Sequence, residues 1–433
     1  MKNYQRALLA AALAAVMSGC DDGATLDPQK QMGPNPELPD SQNFLLPPMQ
    51  VPEGVAWKEG EMPTVAEGLK IEKIADGLMH PRQVYVLPNN DVLVAESNGG
   101  PKPVTRPKQL IMGVVQKASG KGGPGGNRIT LLRNVNGTWE KHTFIENLNA
   151  PFGIQLTGNT LWVANADSLM KFPYEEGQTT ISAPGEVVTE LPGGPINHHW
   201  TKALLASPDG SKLYVGVGSN SNVGENGIGA EYRRAAVLEV DAASGASRIF
   251  ASGLRNPTGL QWEPQSGKLW AIVNERDEIG SDLVPDYMTS VQENGFYGWP
   301  YSYFGQHVDE RAKPPRPDLV EKAIKPDYAI SSHVAPLGLL FYTATNMPQY
   351  QGGAFVSEHG SWNRSPLNGY QVMWVKFENG QPVGLPQPVV TGFLTEDQKQ
   401  VRGLPVGLAM DQQGGVLIAD DAGNTIWRVS AAQ

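Results

Sequence analysis

Three clusters in this chain combine side chains that can bind anions and move protons. Asn197-His198-His199-Trp200 sets two imidazoles side by side, and Gly253-Leu254-Arg255-Asn256-Pro257 places a guanidinium next to an amide. Ser357-Glu358-His359-Gly360-Ser361-Trp362-Asn363-Arg364 brings together an acid, an imidazole, an amide and a second cation. An imidazole changes charge near neutral pH, so His198 and His199 offer a metal pair, a general base or neither. Arginine pairs bidentately with carboxylates, so Arg255 and Arg364 offer places for an acidic ligand. Further polar groups recur at Glu96, Asn165, Ser219, Asn274-Glu275, Glu358-His359 and Asp420-Asp421. They either converge on a site or cap strand ends and satisfy turn backbone.

A repeat must position these groups. A Pro or Gly turn, a short apolar strand, a turn and a second strand ending in polar residues recur six times. Pro81-Arg82-Gln83-Val84 precedes Leu93-Val94-Ala95-Glu96, and Pro151-Phe152-Gly153-Ile154 precedes Leu161-Trp162-Val163-Ala164-Asn165. The phrase returns at 201–204, 257–260, 336–339 and 405–408, each followed by its second strand. Strand composition also marks 129–132, 169–172, 236–240, 372–375 and 426–429. Such a period predicts an all-β, six-bladed β-propeller over 66–433. With each second strand near the axis, the polar strand ends would gather in the central funnel.

At the start of the chain Lys2 and Arg6 precede an apolar run over 7–17 and then Met17-Ser18-Gly19-Cys20. This pattern reads as a bacterial export signal over 1–19, its apolar run too short to span a bilayer. Small residues before a cysteine resemble the lipobox of bacterial lipoproteins, which implies lipidation of Cys20 and an anchor in the bacterial envelope. Cys20 is the only cysteine, so no disulfide can form within one chain. Residues 20–65, rich in Pro, Asp, Glu and Gln, read as a tether between lipid and propeller. The formal net charge is −10, and loss of Lys2 and Arg6 with the signal leaves −12. That field argues against nucleic acid as a partner and makes local positive charge informative.

Two stretches break the period. Residues 100–126 carry Lys102, Arg106, Lys108, Lys117 and Lys121 around an apolar run, and read as a solvated insertion or a segment over the funnel or on a membrane face. Residues 276–335 hold Phe296-Tyr297-Gly298-Trp299-Pro300-Tyr301, aromatics that either pack or stack on carbohydrate.

Gly253-Leu254-Arg255-Asn256-Pro257, Gly267-Lys268-Leu269-Trp270, Asp277-Glu278-Ile279 and Gly295-Phe296-Tyr297-Gly298-Trp299-Pro300 occur in the order that resembles soluble glucose dehydrogenases dependent on pyrroloquinoline quinone (PQQ). Asn274-Glu275-Arg276-Asp277-Glu278 and the phrase from Glu358 to Arg364 resemble the sorbosone dehydrogenase and pyranose dehydrogenase branch of that superfamily. The resemblance runs from about residue 70 to the C-terminus. It implies PQQ and Ca2+ as cofactors and a sugar or sugar aldehyde as substrate. By resemblance, Arg255 and Asn256 bind the quinone near its reactive carbonyl, and Arg364 and Arg402 take its carboxylates. Calcium is placed at Glu275, Arg276 and Asp277, with oxygen ligands that include backbone carbonyls. The resemblance makes His199 the general base that would remove the hydroxyl proton as hydride passes to C5 of the quinone, with His198 its nearest rival. With no Cys-x-x-Cys-His haem motif in the chain, electrons must leave to a separate acceptor.

Two other classes fit a propeller. A lactonase would hold one axial Ca2+ with Glu96, Asn165, Asn274 and Asp420, and a non-catalytic propeller would bind a partner. The cations at Arg255 and Arg364 favour the quinone enzyme, since a lactonase has no carboxylate ligand to hold.

Overall fold

The computed structural model describes residues 23–42, 49–100 and 117–432. Six antiparallel four-stranded sheets follow one another along the chain. Blade 1 comprises Pro81–Val86, Val92–Glu96, Arg128–Val135 and Thr138–Ile145. Blade 2 comprises Gly153–Thr157, Thr160–Ala164, Ser168–Pro173 and Glu186–Glu190; blade 3 comprises Lys202–Ala206, Lys212–Val217, Ala236–Asp241 and Ser247–Ser252. Blade 4 takes Asn256–Trp262, Leu269–Asn274, Pro285–Ser290 and Tyr328–Ser332, and blade 5 takes Pro336–Phe341, Ala354–Glu358, Gln371–Glu378 and Gln381–Thr391. Blade 6 has Pro405–Met410, Val416–Asp420 and Thr425–Ala431, and its fourth strand is Leu69–Ala75 from the start of the ring. Pairing of Ile71 with Val429 and of Leu69 with Ala431 closes the six-bladed β-propeller. Second strands such as Val92–Glu96 and Val416–Asp420 are buried throughout, which explains their unbroken apolar sequence. No helix among the described residues is long and apolar enough to cross a membrane.

The first strand of each blade, not the second, lies innermost, because first strands of successive blades pack on one another. Glycine in the repeated phrase makes this possible. A Cβ on Gly153 would sit 2.7 Å from the carbonyl oxygen of Lys202, and one on Gly407 would sit 2.7 Å from that of Arg82, each in the next blade. Hydroxyl and amide groups then tie each blade to its neighbour. Ser97 Oγ donates to the Pro151 carbonyl at 2.5 Å, Thr258 Oγ1 and Asn274 Nδ2 both donate to that of Pro336 at 2.6 Å, and Ser357 Oγ donates to that of Val406. Second strands run antiparallel to the first, so Glu96 lies opposite Pro81, Asn274 opposite Asn256, Glu358 opposite Pro336 and Asp420 opposite Pro405. Their polar ends therefore do share one end of the funnel.

The described residues before the propeller do not form a tether. Met32–Gly33 adds a fifth strand to blade 4, Thr64–Val65 adds one to blade 5, and Glu53–Gly54 pairs in parallel with Gln400–Val401. Trp57 packs edge-on against Phe393 and Trp427. Buried edges and aromatic contacts outweigh the polar composition from which a tether was expected. The aromatics at 297–301 also pack rather than wait for ligand, since Tyr297, Trp299 and Tyr301 are all buried.

Crowding at the axis generates a stability prediction. Gly407→Ala should lower the unfolding free energy in a urea titration by about 1–3 kcal/mol, the cost of overpacking. Gly229→Ala, whose Cβ would meet open space, should stay within about 0.5 kcal/mol of the parent.

Candidate active site

Register shifts at Pro81/Gln83, Pro257/Gly259, Pro336/Gly338 and Pro405/Leu408 place a β-bulge at the start of four first strands. Bulges re-aim the residues beside them, and here they lie at the polar end of the funnel. A cavity of about 230 Å3 opens there, bounded by the starts of blades 3 to 5 and the loops that follow their second strands.

Asp277 organises one wall of this cavity. Its Oδ2 accepts from Arg255 Nη2 at 2.9 Å; its Oδ1 accepts from Asn363 Nδ2 at 2.9 Å and lies 3.6 Å from His333 Nδ1. Arg255 is fully buried, with Nε on the Asn222 carbonyl at 3.1 Å and Nη2 on Asn222 Oδ1 at 3.0 Å. Trp299 Nε1 donates to the same Asn222 carbonyl at 2.8 Å, fixing the loop behind the guanidinium. Burial alone would raise the Asp277 pKa, but Arg255 and then His333 outweigh it and hold the carboxylate well below its usual range. Glu275 and Asp286 line the same cavity, and there burial outweighs the pull of Arg255 and Arg276 on Glu275 and of His333 on Asp286, pushing them up to about 8 and about 6. One cavity thus sets a firmly ionised carboxylate beside a proton-bearing one.

His199 enters from blade 3. Its Nδ1 lies 2.9 Å from the Ser219 carbonyl and 3.0 Å from Ser219 Oγ, whose own proton goes to the Ser221 carbonyl at 2.6 Å. Both neighbours accept, so Nδ1 carries the proton and Nε2 is the basic nitrogen of the neutral ring. His198 meets the His199 ring edge-on at 4.6 Å between centroids. Gly218 lies beneath, where a Cβ would collide with Asn256 and His199. Asn256 Oδ1 and Glu275 Oε1 are buried without a partner among the described residues.

A second charged cluster stands at the same end, built from the starts of blade 1 and the strand ends of blades 5 and 6. Arg82 pairs with Asp421, and its guanidinium lies 5.2 Å from the centre of the Trp200 ring, reaching from blade 1 to blade 3. His359 Nε2 lies 3.1 Å from Asp421 Oδ2. Burial pushes the His359 pKa down to about 4 against the pull of Asp421, so a neutral ring donates Nε2–H to the carboxylate. Lys121 sits 6.0 Å from the Tyr370 ring centre, its pKa lowered to about 8 by burial first and then by Arg82, against the pull of Asp421. Arg82 Nε is buried and unpartnered among the described residues.

The structure brings His198, His199, Arg255, Asn256, Glu275 and Asp277 to one cavity. It does not bring the other expected residues to that cavity's wall. Arg364 is buried with its Nη1 on the Ser281 carbonyl and 3.2 Å from Asp282 Oδ1. Arg402 lies 3.6 Å from Glu61 and 3.5 Å from the Gly392 carbonyl. Arg276 turns its guanidinium away onto Asp309 Oδ2 at 2.5 Å. The Asp277 carbonyl, a candidate calcium ligand, accepts from Arg276 and, at 3.1 Å, from Asn222 Nδ2. Among the described residues no group of three or more His, Cys, Asp or Glu side chains could hold a metal ion.

Most of the quartet considered for a lactonase is engaged elsewhere. Glu96 accepts from Arg128, Thr130 and the Met79 amide; Asp420 accepts from Trp57, Trp427 and the amides of Leu404 and Gly423. Asn274 Nδ2 donates to the Pro336 carbonyl at 2.6 Å, so Glu96, Asn274 and Asp420 bond at strand ends, while Asn165 Nδ2 lies 3.4 Å from Ser168 Oγ and its Oδ1 is buried without a partner among the described residues. Cys20 and the basic segment 101–116 lie outside the described residues.

Reading along the chain missed Arg82, His333 and Asp286, and placed Lys121 only within an insertion with a position over the funnel as one alternative. Arg82 carried a usable signal, as a cation within a phrase that is otherwise apolar or small. His333 and Asp286 carried none, being made neighbours of Asp277 only by sheet pairing.

The sequence profile of the TrAA12-like family matches residues 63–295 and 318–432, and the chain belongs to that family. Similar proteins include an uncharacterized protein of Borreliella burgdorferi, 28% identical over 66% of this chain and 77% of that protein. A pyrroloquinoline quinone-dependent sugar dehydrogenase of Hypocrea jecorina is 22% identical over 84% of this chain and 88% of its own length. The same fold occurs in the holo form of the PQQ domain of pyranose dehydrogenase from Coprinopsis cinerea, with a TM-score of 0.68 and 18% identity over 87% of this chain and 98% of that one.

Glu358, at the end of blade 5's second strand, allows a pH test. Burial raises its pKa to about 8, against a single donor, Gln371 Nε2, at 2.9 Å. The folded state therefore keeps a proton that the unfolded chain releases near pH 4.5, and stability falls as pH rises from there toward 8. Glu358→Gln should flatten this dependence by up to about 1.4 kcal/mol per pH unit in denaturant titrations. Parallel profiles for the two proteins would contradict it.

Proposed function

We propose that this chain oxidises a sugar or sugar aldehyde with pyrroloquinoline quinone. The observation that carries the reading is one funnel end that combines an imidazole basic at Nε2 with a buried cation, amide and carboxyl that each keep a polar atom without a partner among the described residues. Arg82 Nε, Asn256 Oδ1 and Glu275 Oε1 are those atoms, and glycine at 218 lets Asn256 and His199 pack directly against the backbone. Arg82 Nε can donate to a carboxylate or carbonyl of a flat ligand, and the two oxygens can meet its N–H or O–H groups. Names of relatives agree, since the Hypocrea jecorina protein is a PQQ-dependent sugar dehydrogenase.

When bound, the quinone supplies the two-electron acceptor for hydride leaving the substrate carbon. Arg255 and Asn256 would hold its carbonyl side, and Arg82 with Lys121 its carboxylates, in place of Arg364 and Arg402. His199 receives the substrate hydroxyl proton at Nε2 while the Ser219 carbonyl keeps Nδ1 protonated. Asp277 senses the charge of His199 and is already ionised, so it stabilises the imidazolium that results. Trp362, which lines the cavity, supplies apolar surface suited to the carbon face of a sugar. Calcium would find Asp277 already engaged, its carboxylate by Arg255 and Asn363 and its carbonyl by Arg276 and Asn222. Electrons then pass to a separate acceptor.

The test is reconstitution with PQQ, with and without Ca2+, and a screen of aldoses and aldehydes against a dye acceptor. Dye reduction that requires PQQ is expected, and its absence with every substrate would overturn the reading. His199→Ala should leave PQQ binding nearly intact and lower turnover by roughly two to four orders of magnitude. Arg82→Ala should instead weaken PQQ binding roughly tenfold to hundredfold in an absorbance titration, having lost a charge-assisted bond.

The same proposal puts the enzyme in the bacterial envelope, held by lipid on Cys20. Cys20→Ser should release it from membranes or block processing, and unchanged fractionation together with an unchanged N-terminal mass would exclude the anchor.

A further inference from the structure

The segment 23–42 is sewn onto the back of the cavity wall, and its attachments converge on one residue. Asp282 Oδ2 accepts from the amide of Thr25 at 2.6 Å, from its hydroxyl at 3.2 Å and from the amide of Leu26 at 3.1 Å. Its Oδ1 accepts from Gln31 Nε2 at 2.5 Å and from Arg364 Nη1 at 3.2 Å. Both oxygens of a buried carboxylate are thus divided between the amino-terminal segment and Arg364. Burial opposes the charge, but the amides of Thr25 and Leu26, then Arg364, outweigh it and keep Asp282 ionised.

Further bonds carry the grip to three separate segments. Gln42 donates its amide to the Ile279 carbonyl at 2.9 Å, and Ala24 donates to that of Ser365 at 2.7 Å. Gln31 Oε1 accepts from Ser331 Oγ at 3.2 Å and from the Ser332 amide at 3.3 Å, while Met32 and Gly33 pair with Ile330 and Ala329. Each gripped segment leads within a few residues to a group on the cavity wall: 279–282 to Asp277, 329–332 to His333, and 364–365 to Asn363. His333 and Asn363 both meet Asp277 Oδ1, and Asp277 in turn holds Arg255.

We infer that the amino-terminal segment is a working part of the cavity, with Asp282 the positioning residue that sets Asp277, His333 and Asn363 against Arg255. The inference rests on the reading of this cavity as the active site. It also gives Arg364 a use: the guanidinium braces two loops by binding Asp282 and the Ser281 carbonyl, instead of holding ligand. Small displacements of a catalytic wall have large effects on rate, so a grip behind the wall has consequences in front of it.

The experiment compares full-length Asp282→Asn and Gln31→Ala with the parent and with Lys30→Ala, an exposed change on the same segment. Hydrogen exchange in the cofactor-free protein is read at 277–284, 328–333 and 361–366, alongside PQQ affinity, kcat and KM. Faster exchange in all three segments and PQQ binding weakened on the order of tenfold are expected for both variants, with Lys30→Ala unchanged. If Asp282→Asn does not fold, Gln31→Ala alone decides. Faster exchange confined to residues 24–33, or a lower unfolding midpoint with unchanged PQQ affinity, would make the segment merely structural and overturn the inference. Should the parent bind no PQQ, the proposed cofactor falls, and the exchange data still decide whether the grip reaches the wall.

Discussion

Everything at the funnel end depends on how closely the six innermost strands approach. Where Gly153, Gly338 and Gly407 stand, the carbonyl of the next blade occupies the space a side chain would need. Hydroxyls and amides at strand starts then bond across to neighbouring carbonyls, which otherwise would be buried without donors. This packing makes each strand start a fixed point, and the functional groups sit at or just beyond those points. A ring closed by Leu69–Ala75 against Thr425–Ala431 leaves few ways for one blade to shift alone.

Charge is the second constraint. The chain is acidic overall, yet Arg82, Arg255, Arg276 and Arg364 are all buried at this end. Each is answered by its own carboxylate, respectively Asp421, Asp277, Asp309 and Asp282. Removing one partner from such a pair strands the other charge in a poor solvent, which ties the loops that carry them together. Division of labour follows from what each guanidinium has left over. Arg276 and Arg364 face loops and brace them, whereas Arg255 lines the cavity and Arg82 spans from blade 1 to Trp200 of blade 3. Carboxyls with no ion-pair partner among the described residues, Glu275 and Glu358, are driven by burial toward their neutral forms instead.

The architecture was legible because propeller strands announce themselves. Buried second strands read as unbroken apolar runs, the Pro-x-Gly phrase recurs where strands crowd, and hairpin turns fall between. The position of His199, Arg255 and Asn256 was legible for the same reason, since strand starts share one end of a propeller whatever the loops do. Orientation was not. Arg364 and Arg402 have the right chemistry for a carboxylate, but Asp282 and Glu61, distant in sequence, claim them. Nor did composition reveal that the polar residues at 28–33 become a short 3-10 helix and an extra strand, because their partners lie some three hundred residues away.

Sequence by itself determined the all-β class, the number of blades, and the end at which polar groups collect. These follow from local patterns: strand periodicity, turn residues and a repeat read six times. Tertiary structure alone decided that first strands line the axis, that Glu96, Asn274 and Asp420 of the lactonase quartet bond at strand ends, and that Asp277 joins Arg255, His333 and Asn363 in one wall. Each of those outcomes is a choice of partner between segments far apart in the chain. Hydrogen bonds and ion pairs of buried groups are won by whichever partner the packing brings within reach, and reach is a property of the folded ring.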